Sequence, residues 1–241
     1  MRFNGRDPTE LHPCISISKE IYPSMPAREI ATVETGSGEL VAHVNIQQDE
    51  AIIRVNIAAR TYDEAMEARL KLAEWAASSR NATAELEPTH LPGKAYAAIL
   101  KRMQAIENRF TTVDVVFLLP RPVLHDIAER RAAGSGTEMT FRVGGTASAQ
   151  PVAAVTLTSA AEGLRMTVDG ITFFAIGGSL GAGQKVEYNM RTGSTTIDGA
   201  HAENRILYAE ITPDIELLPG KHTLISSAAG SLQVRWHDEW L

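Results

Sequence analysis

The chain has 241 residues, 44% hydrophobic and 22% charged, with a formal net charge of −6 and one cysteine, Cys14. That length suits one large domain or two small ones of ordinary globular composition. The acidic balance and lack of a nucleic-acid-binding motif exclude DNA or RNA as an expected partner. A lone cysteine excludes an internal disulfide and fits a reducing compartment, and no apolar run is long enough for a membrane-spanning helix.

Met1 to Glu10 is polar and carries an acid, which argues against a signal peptide. Cys14 to Tyr22 alternates Ile15 and Ile17 with serines and predicts a half-buried strand. Arg28 to Thr35 and Glu39 to Ile46 predict two strands joined by Gly36-Ser37-Gly38, a hairpin with a glycine-rich tip. Ala51 to Ala58 alternates Ile53, Val55 and Ile57 against polar residues, the pattern of a strand.

The clearest helix is Thr61 to Ser79. Thr61 and Glu64 form a capping box, and Ala65, Ala68, Leu72, Trp75, Ala76 and Ser79 fall on one face. Strand-like segments flank this helix, so it is expected to lie against a sheet. Ala84 to Pro88 reads as extended and Leu91-Pro92-Gly93 as a turn. Tyr96 to Phe110 is ambiguous: its residues are good helix formers, yet it also fits a long strand. Val113 to Leu119 has the composition of a buried strand, stopped by Pro120-Arg121-Pro122.

A charged stretch from Val123 to Ala133 and then Gly134-Ser135-Gly136 mark the expected domain boundary, giving domains 1–130 and 131–241. Limited proteolysis is expected to cut first between Ala128 and Gly136. Beyond it lie many short strand-like runs separated by glycine turns, including Asp169-Gly170, Gly177-Gly178 and Thr192-Gly193. That texture predicts a β-sandwich or jelly roll. The fold class is thus mainly β with one main α-helix.

Candidate chemistry is sparse. Gly177-Gly178-Ser179-Leu180-Gly181 matches G-x-S-x-G, but no helix pattern follows to make a nucleophile elbow. The seven histidines (His12, His43, His90, His125, His201, His222 and His237) show no metal-ligand spacing. His237-Asp238-Glu239 reads as a solvated face. Asn81-Ala82-Thr83 matches a glycosylation sequon, taken as chance without a secretion signal. Trp75 is expected in the core, and Trp236 and Trp240 in packing or a subunit contact, rather than in a sugar-stacking platform. Gly177 to Gly183 and its flanking strands lack an aromatic or Arg/Asn/His cluster, so the C-terminal sandwich is expected to lack tight sugar binding by itself. No catalytic, cofactor or metal site emerges.

A collinear set of segments nevertheless resembles the distal tail proteins of siphophages and their prophage copies. In the first half it runs through Phe3-Asn4-Gly5, VETGSGEL, AIIRVNI, EARLKLAEWA, LPGKAYAAIL and VDVVFLLPRP. In the second it runs through GTEMTFRVGGTASAQPVAAVTLT, ITFFAIGGSLGAGQKVEYN, LLPGKHTLI and QVRWHDEWL. Two positions depart from the pattern: Asn189, where an acid is expected, and His222, where asparagine is frequent.

The resemblance implies an N-terminal ring-forming domain and a C-terminal galectin-like β-sandwich. It implies a homohexameric ring at the virion tail tip, made in the bacterial cytoplasm. That ring would meet the tail tube protein on one face and the tail-associated tip protein or receptor-binding apparatus on the other. It implies no cofactor and no enzyme, and it favours strand for Tyr96 to Phe110. Thr35, Gly36, Ser37, Gly38 and Glu39 are the candidate inter-subunit contacts. A carbohydrate-binding module and, behind it, a hydrolase are the competing classes.

Overall fold

In a computed structural model the described residues are 1–23, 28–35, 38–80, 82–106, 111–212 and 215–241, with backbone only between 28 and 46. The chain divides into two compact units, Met1–Ile127 with Leu241, and Ala128–Trp240.

The first unit is built on antiparallel strands β1 (Arg2–Phe3), β2 (Ile15–Ile21), β3 (Arg28–Thr35), β4 (Gly38–Ile46), β5 (Asp49–Ile57), β6 (Ala84–Glu87), β7 (Lys94–Ala105), β8 (Thr112–Leu119) and β9 (Leu124–Asp126). Its main sheet runs β1-β6-β7-β8-β5-β2, with β9 also on β7. The alternation in β5 places Ala51, Ile53, Val55 and Ile57 in the core. On its other face Arg54 meets Asp114 of β8 through two hydrogen bonds of 2.9 and 3.1 Å. This two-pronged pairing compensates a carboxylate that is 6% exposed.

Helix α1 (Tyr62–Ala76) covers this core. Thr61 caps it by accepting the Glu64 N–H at 3.2 Å, while the Glu64 carboxylate accepts the Arg60 N–H at 2.7 Å. Ala68, Leu72, Trp75 and Ala76 are the buried residues, at the spacing of one helix face. On the water side Lys71 pairs with Glu67 at 2.7 Å, one turn apart.

Strand β7 settles the ambiguous segment as extended over Lys94–Ala105; residues 107–110 lie outside the described residues. Helix propensity loses because β7 is hydrogen-bonded to β6 and β9 over its first half and to β8 over its second. Such backbone pairing outweighs tenths of a kcal/mol per residue of helix preference.

The second unit contains β10 (Arg130–Val143), β11 (Val152–Leu157), β12 (Ala161–Val168), β13 (Ile171–Leu180), β14 (Lys185–Asn189), β15 (Thr195–Ile197), β16 (Ala200–His201), β17 (Gly220–Trp236) and β18 (Glu239–Trp240). The order is β13-β12-β17-β11-β14-β15-β16, with β10 on the remaining side of β17. Two 3-10 turns, Glu203–Arg205 and Tyr208–Glu210, precede β17.

Three sequence expectations change here. Gly134-Ser135-Gly136 is no linker but lies inside β10, paired with Leu232, Ser231 and Gly230. Gly177-Gly178 is not a turn but part of β13. HTLIS (222–226) and SLQVRW (231–236), two of the short runs expected in the second half, are one 17-residue strand, β17. Gly134 and Ser135 stay extended because β17 supplies their hydrogen bonds, whereas Gly136 (φ +101°) and Gly178 (φ +82°) stand at breaks in register and take a left-handed backbone that glycine allows. The core of the unit is formed by inward residues of both ends of β17 together with Phe141, Phe173, Phe174, Met166 and Tyr188.

Candidate functional site

The hairpin is the first candidate. β3 and β4 pair from Arg28↔Ile46 to Thr35↔Gly38, with a bulge between Ala31 and Thr32. Among the described residues they form a two-stranded sheet of their own. Both outer edges therefore carry backbone N–H and C=O groups outside any described ladder, the condition that invites pairing with another chain. A two-stranded ribbon is also marginal in water by itself. Thr35 ends β3, and Gly38 and Glu39 begin β4; Gly36 and Ser37 lie outside the described residues.

A second surface escaped the sequence analysis. Tyr62 (67% exposed), Met66 and Leu70 (62% exposed) recur every fourth residue on the outer face of α1. Their spacing was visible, but the buried face drew the assignment. Such an apolar stripe is suited to protein contact.

The catalytic-looking strings resolve otherwise. Ser179 sits in a strand and donates to Glu162 of the neighbouring β12 at 2.9 Å, so it occupies no strand-to-helix elbow. Cys14 donates to Glu64 at 3.0 Å; this bond first, then burial, raises the thiol above its ordinary value, which disfavours a reactive thiolate. Among the described residues no group of three or more His, Cys, Asp or Glu side chains could hold a metal. Likewise, no helix among them is long and apolar enough to cross a membrane. Asn81 lies outside the described residues.

Trp75 and Trp236 are core residues of their own units. Trp75 packs edge-on against Phe3 and Phe117 and donates to the Arg6 carbonyl at 2.9 Å. Trp236 packs on Phe141 and donates to Asp238 at 2.9 Å.

The solvated reading of Asp238-Glu239 is corrected. Asp238 is 7% and Glu239 2% exposed. Asp238 accepts the Gly144 N–H at 2.7 Å as well as the Trp236 indole N–H. Glu239 accepts from Arg191, and its carbonyl accepts the N–H groups of Thr146 and Ala147 at 2.8 and 3.0 Å. Gly145 has φ +83°, and a Cβ there would stand 2.0 Å from the Glu239 carbonyl oxygen. The glycine is therefore required for this close approach. The four groups form a latch that holds the end of this unit down. Their sequence separation of about ninety residues hid it from any local pattern.

Residues 144–240 match the family model described as the siphovirus-type tail component, C-terminal domain. The resemblance drawn from the sequence therefore has independent support in the second unit. No curated protein matches the chain. Among solved structures, this chain is similar to SPP1 Dit (gp 19.1), described as a paradigm of the hub adsorption apparatus in phages infecting Gram-positive bacteria. The likeness covers 100% of this chain and 98% of that one, with a TM-score of 0.78 at 12% identity. Two structures of the phage p2 baseplate in its activated conformation, with Ca and with Sr, match at TM-scores of 0.43 and 0.42 and identities of 10% and 9%; each match covers 92% of this chain and 90% of theirs. The first likeness is one of fold; the other two carry no argument.

Proposed function

We propose that this chain is a structural component of a bacteriophage tail tip or baseplate. Six copies form a ring hub that joins the tail tube to the tip and host-adhesion apparatus. The observation that carries this reading is the full-length likeness in fold to a phage hub protein, together with the tail-component match over residues 144–240. In this reading residues 1–130 are the ring-forming domain and 131–241 a galectin-like sandwich. The protein acts by contact, not catalysis; it is made in the bacterial cytoplasm and ends in the virion tail tip.

The ring closes through the first unit. Each copy presents the β3–β4 hairpin, with Thr35 to Glu39 at its tip, and receives its neighbour's. A heterologous contact that closes on itself satisfies every strand edge. Light scattering at tens of micromolar, with electron microscopy, tests this: a closed six-copy species is expected, and a clean monomer with no ring overturns self-assembly. Deleting Thr35 to Glu39 is expected to weaken the ring while the second unit stays folded.

A further inference from the structure

Beyond the hub role, and without resting on it, we propose that a cleft in the second unit binds a neutral saccharide. Tyr208 supplies its stacking surface and the Arg191–Ser194 turn its polar rim. The cleft encloses about 390 Å³, within the size range of small-ligand sites. Its apolar lining is Met190 and Ile206, at 4% and 8% exposure. Tyr208, in the 3-10 turn Tyr208–Glu210, is 66% exposed. An apolar lining beside a polar rim suits a sugar ring, which has a C–H face and an edge of hydroxyls. An open aromatic ring suits that face.

The rim is fixed before any ligand arrives. Asn189 accepts the N–H groups of Arg191 and Thr192 at 2.9 and 3.2 Å, and its carbonyl accepts the Gly193 N–H at 2.8 Å. The Thr192 hydroxyl donates to Ser194 at 3.0 Å, leaving the Ser194 O–H to donate outward. Arg191 is held through one Nη by the buried Glu239 carboxylate, yet its side chain is 55% exposed and offers its other N–H groups.

Glu203 supplies the acceptor. Its carboxyl is held down at about 2, chiefly by the hydrogen bond with His201. Both Thr195 N–H and His201 meet Oε1, at 3.2 and 2.9 Å, which leaves Oε2 clear of them. A rim with donors and an ionised acceptor suits vicinal hydroxyls, which do both. It disfavours an anion, because Glu203 is negative and the Arg191 charge is already offset by Glu239. This departs from the expectation of no tight sugar binding by the sandwich, which rested on the strands around Gly177–Gly183; the cleft lies elsewhere. It is made instead by a turn and two 3-10 turns.

The test uses the full chain. Lactose, maltose, diacetylchitobiose and rhamnose are titrated against it by ligand-observed NMR and calorimetry, with glycerol phosphate as the anionic control. At least one neutral sugar is expected to bind at millimolar concentration or below. Tyr208→Ala is expected to weaken it about tenfold with an unchanged melting temperature, since the ring is exposed. Glu203→Gln is expected to weaken it by a smaller factor. The proposal is overturned by no sugar binding at about 10 mM, by binding that survives Tyr208→Ala, or by binding of glycerol phosphate alone.

Discussion

Strands β7 and β17 do the same job in the two units by different means. Each changes partners partway along: β7 passes from β6 and β9 to β8, and one edge of β17 passes from β12 to β11 while β10 runs the length of the other. In the first unit side chains manage the change. Trp75 of α1 lies against Phe3 of β1 and Phe117 of β8, so one buried ring ties together strands from both stretches of β7. In the second unit backbone proximity manages it. Gly230 of β17 faces Gly136 of β10 on one side and Leu157 of β11 on the other, and a Cβ on it would stand 2.3 Å from the Thr156 carbonyl oxygen. A switch held by side chains should tolerate a backbone change and fail on a truncation; a switch held by close backbone approach should do the reverse.

The largest expected effect is that of Trp75→Ala. Emptying a 1% exposed tryptophan site should destabilise the first unit by about 3–5 kcal/mol. In calorimetry one transition should fall and the other hold. An equal fall in both would mean that the units unfold as one and would break the comparison. Next comes Gly230→Ala, where the added methyl must push Thr156 and β11 aside. A loss of about 1–3 kcal/mol confined to the second unit is expected. No change in its transition would show that β11 yields freely and that the glycine is incidental.

Smaller still is Thr61→Ala, which removes the helix cap over the first core. About 1 kcal/mol is expected, read as a lower urea midpoint for that unit alone.

The last prediction sharpens the contrast through pH. In the first unit burial raises the Tyr22 and Tyr96 phenols above their ordinary value of 10.0. Their contribution is full below that value and is lost as pH rises through the raised ones. In the second unit Glu203 is lowered to about 2. Burial pushes Asp169 up, but the Thr223 N–H and His222 pull it further down, for a net lowering. Those contributions are present above the ordinary carboxylate values and fade as pH falls toward the lowered ones. Alkaline melts followed by circular dichroism should therefore lower the first transition, and acid melts the second; a first transition unmoved by alkali would contradict it.

Much of the first unit was legible in the sequence because its signals are local. The Thr61–Glu64 box, the apolar face from Ala68 to Trp75 and the alternation from Ile53 to Ile57 are short-range patterns, and each sits where those patterns place it. The hairpin from Arg28 to Ile46 was equally legible as two strands around a glycine tip. The same rules misread positions whose conformation depends on distant partners. Lys94–Ala105 is rich in helix formers, and only pairing with β6 and β8 makes it a strand. The glycines read as breaks at 134–136 and 177–178 lie within β10 and β13, with Gly136 and Gly178 at breaks in register that only the pairing of distant strands creates.

The sequence by itself determined the β-rich class, helix α1 with its buried face, and the hairpin, since each depends on residues a few positions apart. Only the tertiary structure decided which strands change partners, that Asp238 and Glu239 are buried beside Gly144 and Gly145, and that Tyr208 shares a cleft with Arg191 and Glu203. Those outcomes rest on contacts between residues far apart in the chain, and burial and hydrogen bonding there override the local preference.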